Sequence, residues 1–160
     1  MIEPDYFKSI MRRHAAAVVV IAVKTNDGVH CMTATSFVSV SVNPSLVLFC
    51  VHKENETHER LLSASKVGIS LLADGQANIS NRFASKGAER YRLDDIQFPE
   101  SPDGLPLVPD ACTHFEVSLI RRHWGGDHSI FVGEVCWADV RNEVVPLVYH
   151  AGGYRSLHVC

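Results

Sequence analysis

The stretch TATSFVSVSVNPSLVLFCV, which runs from Thr33 to Val51, limits the possible folds of this chain more than any other segment. Valine and serine alternate from Val38 to Val42, and this period of two predicts a strand with valines on one face and serines on the other. After a turn at Asn43-Pro44, the apolar run SLVLFCV predicts a second strand that is buried on both faces. The serine face carries no charge, although exposed strand faces usually contain Lys or Glu. We therefore expect a functional reason for this neutral face.

The other strand-forming segments do not alternate regularly with helices. They are AVVVIAV (17–23), KVGISLLA (66–73), HFEVSLIRRH (114–123), HSIFVGEVCWADV (128–140) and PLVYH (146–150). We predict an N-terminal helix through Phe7, a second helix over 57–65 with Thr57 as its N-cap, and a third within DGQANISNRFASKG (74–87), with Gly87 just past its end. Four prolines between Leu93 and Pro109 predict an ordered loop. This order argues against a parallel doubly wound sheet and favours an antiparallel barrel with small helices attached.

Length and charge exclude several classes of protein. The 160 residues suit one domain, which we place at 1–160. The net charge of -3 and the lack of a long Lys/Arg run argue against nucleic-acid binding. The apolar run 15–23 is too short to span a bilayer, and nothing resembles a signal peptide, so we expect no membrane partner.

The cysteine and histidine patterns predict neither disulfides nor a metal site. The five cysteines are odd in number, widely spread and without a CxxC motif, which is typical of reduced thiols in a cytoplasmic protein. The nine histidines include no HxH, HExxH or zinc-finger spacing, so we expect no metal. The chain also lacks GxGxxG, GxxxxGK[ST] and GxSxG, which argues against a Rossmann site, a P-loop and an acyl-transfer serine.

Three short segments contain residue types that bind cofactors, and each also has a purely structural interpretation. Lys53, Asn55 and Thr57 alternate where a strand gives way to a helix, so they could hold a phosphate at the helix start or form an ordinary charged turn and cap. His128 lies between a glycine turn and an apolar strand. It could be a functional residue, or it could be a surface or core histidine. Tyr154 could stack on a planar ring and Arg155 could bind a phosphate, or both could be structural.

In their order along the chain, these segments resemble the flavin reductase-like family of short-chain NAD(P)H:flavin oxidoreductases, the reductase components of two-component flavin-dependent monooxygenases. The resemblance spans nearly the whole chain from Phe7. The matching segments are MTATSFVSVSVNPSLVLFCV (32–51), K-x-N-x-T (53–57), VGISLLA (67–73), NRFA (81–84), GLPLVPDA (104–111), GDHSIFVGEV (126–135) and PLVYHAGGYRSL (146–157).

The resemblance implies a fold and an activity. The fold is an FMN-binding split barrel, which is a Greek-key antiparallel β-barrel with short peripheral α-helices. The activity is hydride transfer from NADH or NADPH to FMN or FAD, with the reduced flavin supplied to a separate flavin-dependent monooxygenase. The family resemblance also implies a homodimer with the flavin near the subunit interface.

The resemblance further implies the residues of the site. Small hydroxyls and backbone amides let a flat ring come close, which would explain the neutral face. The implied flavin-binding residues are Thr33, Ala34, Thr35, Ser36, Ser39, Cys50, Val51, His52, Lys53, Asn55, Thr57 and Phe83. The implied nicotinamide-binding residues are His128, Tyr154 and Arg155, with His128 as the catalytic residue that orients the nicotinamide or the reduced flavin.

Two other functions remain open on the sequence. The first is a flavin-binding or electron-transfer module of the same split-barrel fold that is not itself a reductase. The second is a scaffold or sensor of that fold that binds haem or another planar ligand.

Overall fold

The computed structural model describes residues 2–86, 90 and 92–157, and most of its regular elements are strands. The helices are α1 (Pro4–Met11), α2 (Glu56–Ser63) and α3 (Ala77–Ala84). The strands are β1 (Ala16–Ala17), β2 (Val19–Thr25), β3 (Gly28–Ala34), β4 (Val38–Ser41), β5 (Leu46–His52), β6 (Lys66–Leu71), β7 (Thr113–Gly125), β8 (His128–Val140), β9 (Val148–His150) and β10 (Gly153–Arg155). The mainly β architecture with short helices is thus confirmed.

Seven strands form one antiparallel sheet in the order β3-β2-β6-β7-β8-β5-β4, and β1, β9 and β10 form a small second sheet. A side chain links β5 to the segment that follows β3, at the opposite end of the large sheet. Ser36, between β3 and β4, accepts the N–H of Cys50 at 2.9 Å and donates to the C=O of Cys50 at 3.2 Å. The Ser36 hydroxyl therefore satisfies backbone groups of β5 as a neighbouring strand would, and the sheet closes into a barrel.

The continuous apolar run of β2 is explained by burial on both of its faces. Val19, Ile21 and Val23 point into the barrel interior and pack in the same cluster as Phe49 and Val117 of other strands. The alternate residues of this run are packed in a second cluster outside the barrel, which consists of Val18, Val20, Ala22, Cys31, Leu72, Phe83, Val108, Ala111 and Leu147. Because both faces are covered by apolar side chains, β2 fixes the barrel against α3, the 93–109 loop and the second sheet.

The strands of the opening stretch are found, but their burial differs from the prediction. β4 lies at the edge of the sheet, and its valines are exposed, with 52% of Val38 and 50% of Val40 accessible. Burial on both faces of β5 is wrong: Val47, Phe49 and Val51 are buried, but the intervening residues are only half-buried. β4 has only four residues and a neighbouring strand on one side only. The alternation of valine and serine predicts a strand with two different faces, but it does not show whether another element covers the valine face.

Thr57 is not the N-cap of α2, as the sequence predicted. The helix begins at Glu56, and the cap is Asn55, whose Oδ1 accepts the N–H of Thr57 at 3.0 Å. The side chain of Thr57 is buried instead. The third helix is also shorter than predicted, because residues 74–76 form a turn in which Gly75 has a φ of +91°, and Gly87 lies outside the described residues.

The loop over 93–109 is ordered on the barrel by one buried carboxylate. Glu116 of β7 accepts hydrogen bonds from Lys66 Nζ at 2.9 Å, Ser101 Oγ at 2.7 Å and the N–H of Asp103 at 3.2 Å. Burial raises the pKa of Glu116, but these donors outweigh it and lower the pKa to about 2. Gly68 allows the loop to lie directly on β6, since a Cβ there would sit 2.4 Å from the carbonyl oxygen of Pro106.

We expect Glu116→Gln to lower the free energy of unfolding by roughly 1–3 kcal/mol at pH 7, because it removes a charged acceptor with three donors. The folded-state pKa of Glu116 lies below its ordinary 4.5, so its stabilisation is present above pH 4.5 and is lost as the pH falls towards 2. Urea unfolding at several pH values should show a flatter acid dependence in the variant. Glu143→Gln, an exposed residue without such donors, should behave as wild type; equal curves for Glu116→Gln would contradict this role.

Candidate functional site

A cavity of about 480 Å³ opens between the barrel and the second sheet. Its floor comes from the end of β3 and from β5, α3 forms one wall, and β9 and β10 supply two tyrosines. The described residues that line it are Val18, Met32, Thr33, Ala34, Thr35, Ser36, Cys50, His52, Asn55, Ser80, Asn81, Ala84, His128, Tyr149 and Tyr154. We call it the first cavity.

The lining of the first cavity explains part of the neutral stretch. The segment from Thr33 to Ser36 follows the barrel edge into the cavity, and none of the described lining residues is Lys, Arg, Asp or Glu. Hydroxyl and amide groups beside apolar side chains can bind a planar heterocycle without the desolvation cost of a charge. The valine–serine alternation further along does not reach the cavity, because Ser39 lies on the exposed edge strand.

Hydrogen bonds fix the wall that α3 makes. Thr33 Oγ1 donates to the carbonyl oxygen of Ser80 at 2.7 Å, which ties α3 to β3. The hydroxyl of Tyr154 lies 2.8 Å from both Ser80 Oγ and Asn81 Oδ1, which ties α3 to β10. The ring of Tyr149 meets that of Tyr154 edge-on, with 5.5 Å between their centroids. The side of the cavity next to α3 is therefore aromatic, and the hydroxyl of Tyr154 is held by hydrogen bonds to α3.

Two histidines line the first cavity where β5 ends and β8 begins. His52 and His128 are direct partners in the register of β5 and β8, and their rings meet edge-on with centroids 5.0 Å apart. Asp127, one residue before β8, places its Oδ1 2.7 Å from His128 Nδ1. The hydrogen bond with His128 is the main cause that lowers the pKa of Asp127.

A second cavity of about 370 Å³ shares His52, Asn55 and Ala84 with the first. Unlike the first, it is lined by charged side chains, which include Lys86 and Arg90 along with two glutamates. It lies beside the start of α2, where backbone N–H groups have no partner within the helix. We call it the second cavity.

Arg90 is the most unusual residue of the second cavity, because it is a buried cation with neutral partners. Its guanidinium donates to the carbonyl oxygen of Cys31 at 3.1 and 2.9 Å, to Asn55 Oδ1 at 3.1 Å and to Thr57 Oγ1 at 2.5 Å. Within the described part of the chain, no carboxylate lies at ion-pair distance from it, and burial lowers its pKa. Glu56 in the same cavity partly offsets this effect on the pKa. A buried guanidinium that has no ion-pair partner in contact with it can still bind an anionic ligand.

The structure brings together most of the residues that the sequence analysis named. The first cavity contains Thr33, Ala34, Thr35, Ser36, Cys50, His52, Asn55, His128 and Tyr154. The side chains that line neither cavity are those of Ser39, Val51, Lys53, Thr57, Phe83 and Arg155.

Each of the side chains outside the cavities has another place. Val51 and Phe83 are buried in the two apolar clusters, and Thr57 is buried under Arg90. Arg155 is exposed and donates to the carbonyl oxygen of Tyr154 at 2.7 Å. Lys53 donates to the carbonyl oxygen of Gly126 at 2.6 Å, and its Nζ lies 5.9 Å from the ring centroid of Trp124.

Sequence analysis missed several residues of the site. Arg90 lies outside every element that the sequence predicted, and Lys86, Ser80 and Tyr149 lie in predicted elements to which no site role was given. Asp127 had a usable signal, since it directly precedes His128. Among residues 2–86, 90 and 92–157, no cluster of His, Cys, Asp and Glu is arranged to hold a metal ion, and no helix is long and apolar enough to cross a membrane.

Comparisons with known proteins agree with the geometry. The family model of the flavin reductase like domain matches residues 11–158. A curated NADH-dependent flavin reductase of a Rhodococcus species is 31% identical over 163 residues, covering 99% of this chain and 89% of the relative. The reductase component of 4-hydroxyphenylacetate 3-monooxygenase from Thermus thermophilus is 33% identical and covers 96% of each chain.

Solved structures show the same fold. The NADH:FAD oxidoreductase of Streptomyces globisporus C-1027, solved in complex with NAD and FAD fragments, superposes with a TM-score of 0.91 at 29% identity, over 99% of this chain and 96% of the other. The predicted split barrel is therefore confirmed. Because the family model matches almost the whole chain, this protein belongs to the flavin reductase-like domain family.

Proposed function

We propose that this chain is an NAD(P)H:flavin oxidoreductase that reduces FMN or FAD. The observation that carries the proposal is the junction of the two cavities at His52, Asn55 and Ala84. The first cavity has no Lys, Arg, Asp or Glu among its described lining residues, and the second contains the cations Lys86 and Arg90 beside two glutamates. This fits a ligand with a flat neutral ring system at one end and a phosphate bound by the two cations at the other. The Rhodococcus and Streptomyces relatives are named as NADH-dependent reductases of flavin, in agreement with this assignment.

The chain's own residues bind, orient and exclude water, while the flavin and the nicotinamide together supply the hydride chemistry. The segment from Thr33 to Ser36 faces the ring system with its backbone amides and the hydroxyl of Thr35, while the hydroxyls of Thr33 and Ser36 bind backbone groups of the protein. Tyr149 and Tyr154 close the opposite side and keep water away from it. His128, at the end of the cavity, orients the nicotinamide.

Arg90 and Lys86 hold the phosphate end. Arg90 also positions Asn55 and Thr57 through its hydrogen bonds, so two residues of the K-x-N-x-T segment serve this end indirectly. Lys53, the first residue of that segment, remains a predicted phosphate ligand, although its ammonium bonds to the β7–β8 turn.

Rapid oxidation of NADH or NADPH in the presence of FMN or FAD is the direct test. We expect His128→Ala to slow flavin reduction about 10-fold or more in stopped-flow measurements, with the flavin dissociation constant changed less than about twofold, because His128 orients the second substrate. His123→Ala, an exposed histidine on β7, is the control. Flavin binding without NAD(P)H oxidation by wild type would instead favour a non-catalytic flavin-binding module.

We expect Lys86→Gln to weaken binding of FMN and FAD about 5- to 10-fold and to leave riboflavin binding unchanged, because only the phosphorylated flavins offer an anion. Fluorescence titration with all three flavins measures this. Lys24→Gln, which removes an exposed lysine distant from both cavities, should leave all three affinities unchanged. An equal loss for riboflavin would contradict the phosphate assignment.

The proposal includes a homodimer and a separate flavin-dependent monooxygenase that receives the reduced flavin. The Thermus relative is named as such a reductase component, which supports the second partner. Exposed apolar groups support the dimer, since α1 has no buried residue and presents Phe7 and Met11, while β4 presents Val38 and Val40.

The four described cysteines are free thiols, in agreement with a cytoplasmic location.

We expect light scattering on the purified protein to give twice the mass of one chain. Val40→Glu should shift the protein to the monomer mass, because a charge on the β4 edge would be desolvated at a dimer interface. Val140→Glu, which charges a similarly exposed valine at the end of β8, is the matched control. A monomeric wild type would contradict the dimer without affecting the assignment of the cavities.

A further inference from the structure

Asp127 contacts both histidines of the first cavity without lining either cavity. Its Oδ1 lies 2.7 Å from His128 Nδ1, and its Oδ2 lies 3.8 Å from His52 Nε2. The rings of both histidines line the first cavity. One carboxylate therefore faces one nitrogen of each ring, and its contacts with the lining of the cavity are made through the two imidazoles.

The hydrogen bonds determine which ring nitrogens carry a proton. The pKa of Asp127 is held below its ordinary value, mainly by the hydrogen bond with His128, so the carboxylate is ionised and can only accept. His128 consequently donates from Nδ1, which leaves Nε2 of the neutral ring unprotonated. His52 Nδ1 accepts the N–H of Glu54 at 3.1 Å, so the proton of neutral His52 is on Nε2, the nitrogen nearer Asp127.

The turn that carries Asp127 is held in place by β5. The N–H of Lys53 donates to the carbonyl oxygen of Asp127 at 3.0 Å, and Lys53 Nζ donates to that of Gly126 at 2.6 Å. Gly126 has a φ of +73°, which a residue with a side chain adopts only with strain. The side chain of Asp127 is 75% exposed, yet its backbone is fixed relative to both rings.

We propose that Asp127 is a positioning residue that holds His128 in the tautomer with Nε2 free to accept a hydrogen bond. This inference rests on the proposed function, in which His128 orients the nicotinamide. A free Nε2 accepts from the amino group of a carboxamide, whereas the opposite tautomer would present an N–H to that group. The edge-on ring of His52 packs beside His128 and limits the rotation of its ring.

The test combines a spectroscopic and a kinetic measurement on Asp127→Asn. Nitrogen-15 NMR of the histidine side chains in the flavin-free protein should show His128 protonated at Nδ1 in wild type and a mixture of tautomers in the variant, because an amide can accept or donate. Flavin reduction by NADH should slow about 10-fold, with flavin affinity changed less than about twofold. Asp139→Asn, an exposed aspartate of β8, should match wild type in both measurements.

A double variant tests whether Asp127 acts through His128. In the background of His128→Ala, Asp127→Asn should slow flavin reduction by less than about twofold further, because the residue it positions is absent. A full additional loss there, or an unchanged His128 tautomer in Asp127→Asn, would overturn the proposal. Wild type that oxidises no NADH would refute the proposed function, while the NMR result would still decide whether Asp127 sets the tautomer.

Discussion

The burial of β2 on both faces is the constraint on which the rest of the structure depends. Its alternate side chains enter two separate apolar clusters, one inside the barrel and one outside it. The outer cluster places α3 and the second sheet against the barrel wall, and the first cavity is the space left between them. Each fully buried aliphatic side chain contributes about 1.5–3 kcal/mol, so the cavity walls are fixed by the core itself.

Strand pairing then assembles the polar groups of the site. His52 and His128 are neighbours because β5 and β8 pair in a register that sets them opposite each other, and a shift of one residue would turn one ring to the other face. Ser36 reaches Cys50 because the sheet closes at that point. Residues far apart in sequence thus become parts of one cavity through strand pairing, and contacts such as that between the rings of His52 and His128 follow from it.

Lys, Arg, Asp and Glu side chains line only one of the two cavities. The first has no Lys, Arg, Asp or Glu among its described lining residues, and the second has Arg90, which is buried with only neutral acceptors around it. Removing a guanidinium from water is costly unless an anion compensates it. A phosphate-bearing ligand would supply that compensation, and its neutral ring would meet the hydroxyl groups near Thr35.

From the sequence, period and turn residues predicted the antiparallel strands and the three short helices, and the family resemblance implied most of the described residues of the first cavity. Period and turn residues are local properties, and the residues from Thr33 to Ser36 are adjacent in sequence as well as in space. The tertiary structure decided the exposure of β4, the replacement of Thr57 by Asn55 as the cap, and the roles of Arg90 and Asp127. The interior position of Arg90 comes from its bond to the distant Cys31, and the relation of Asp127 to His52 comes from strand register. The Asn55 cap is a local contact, but Thr57 is also held by the distant Arg90. Periodicity contains no information about such contacts, because they arise only when the sheet closes.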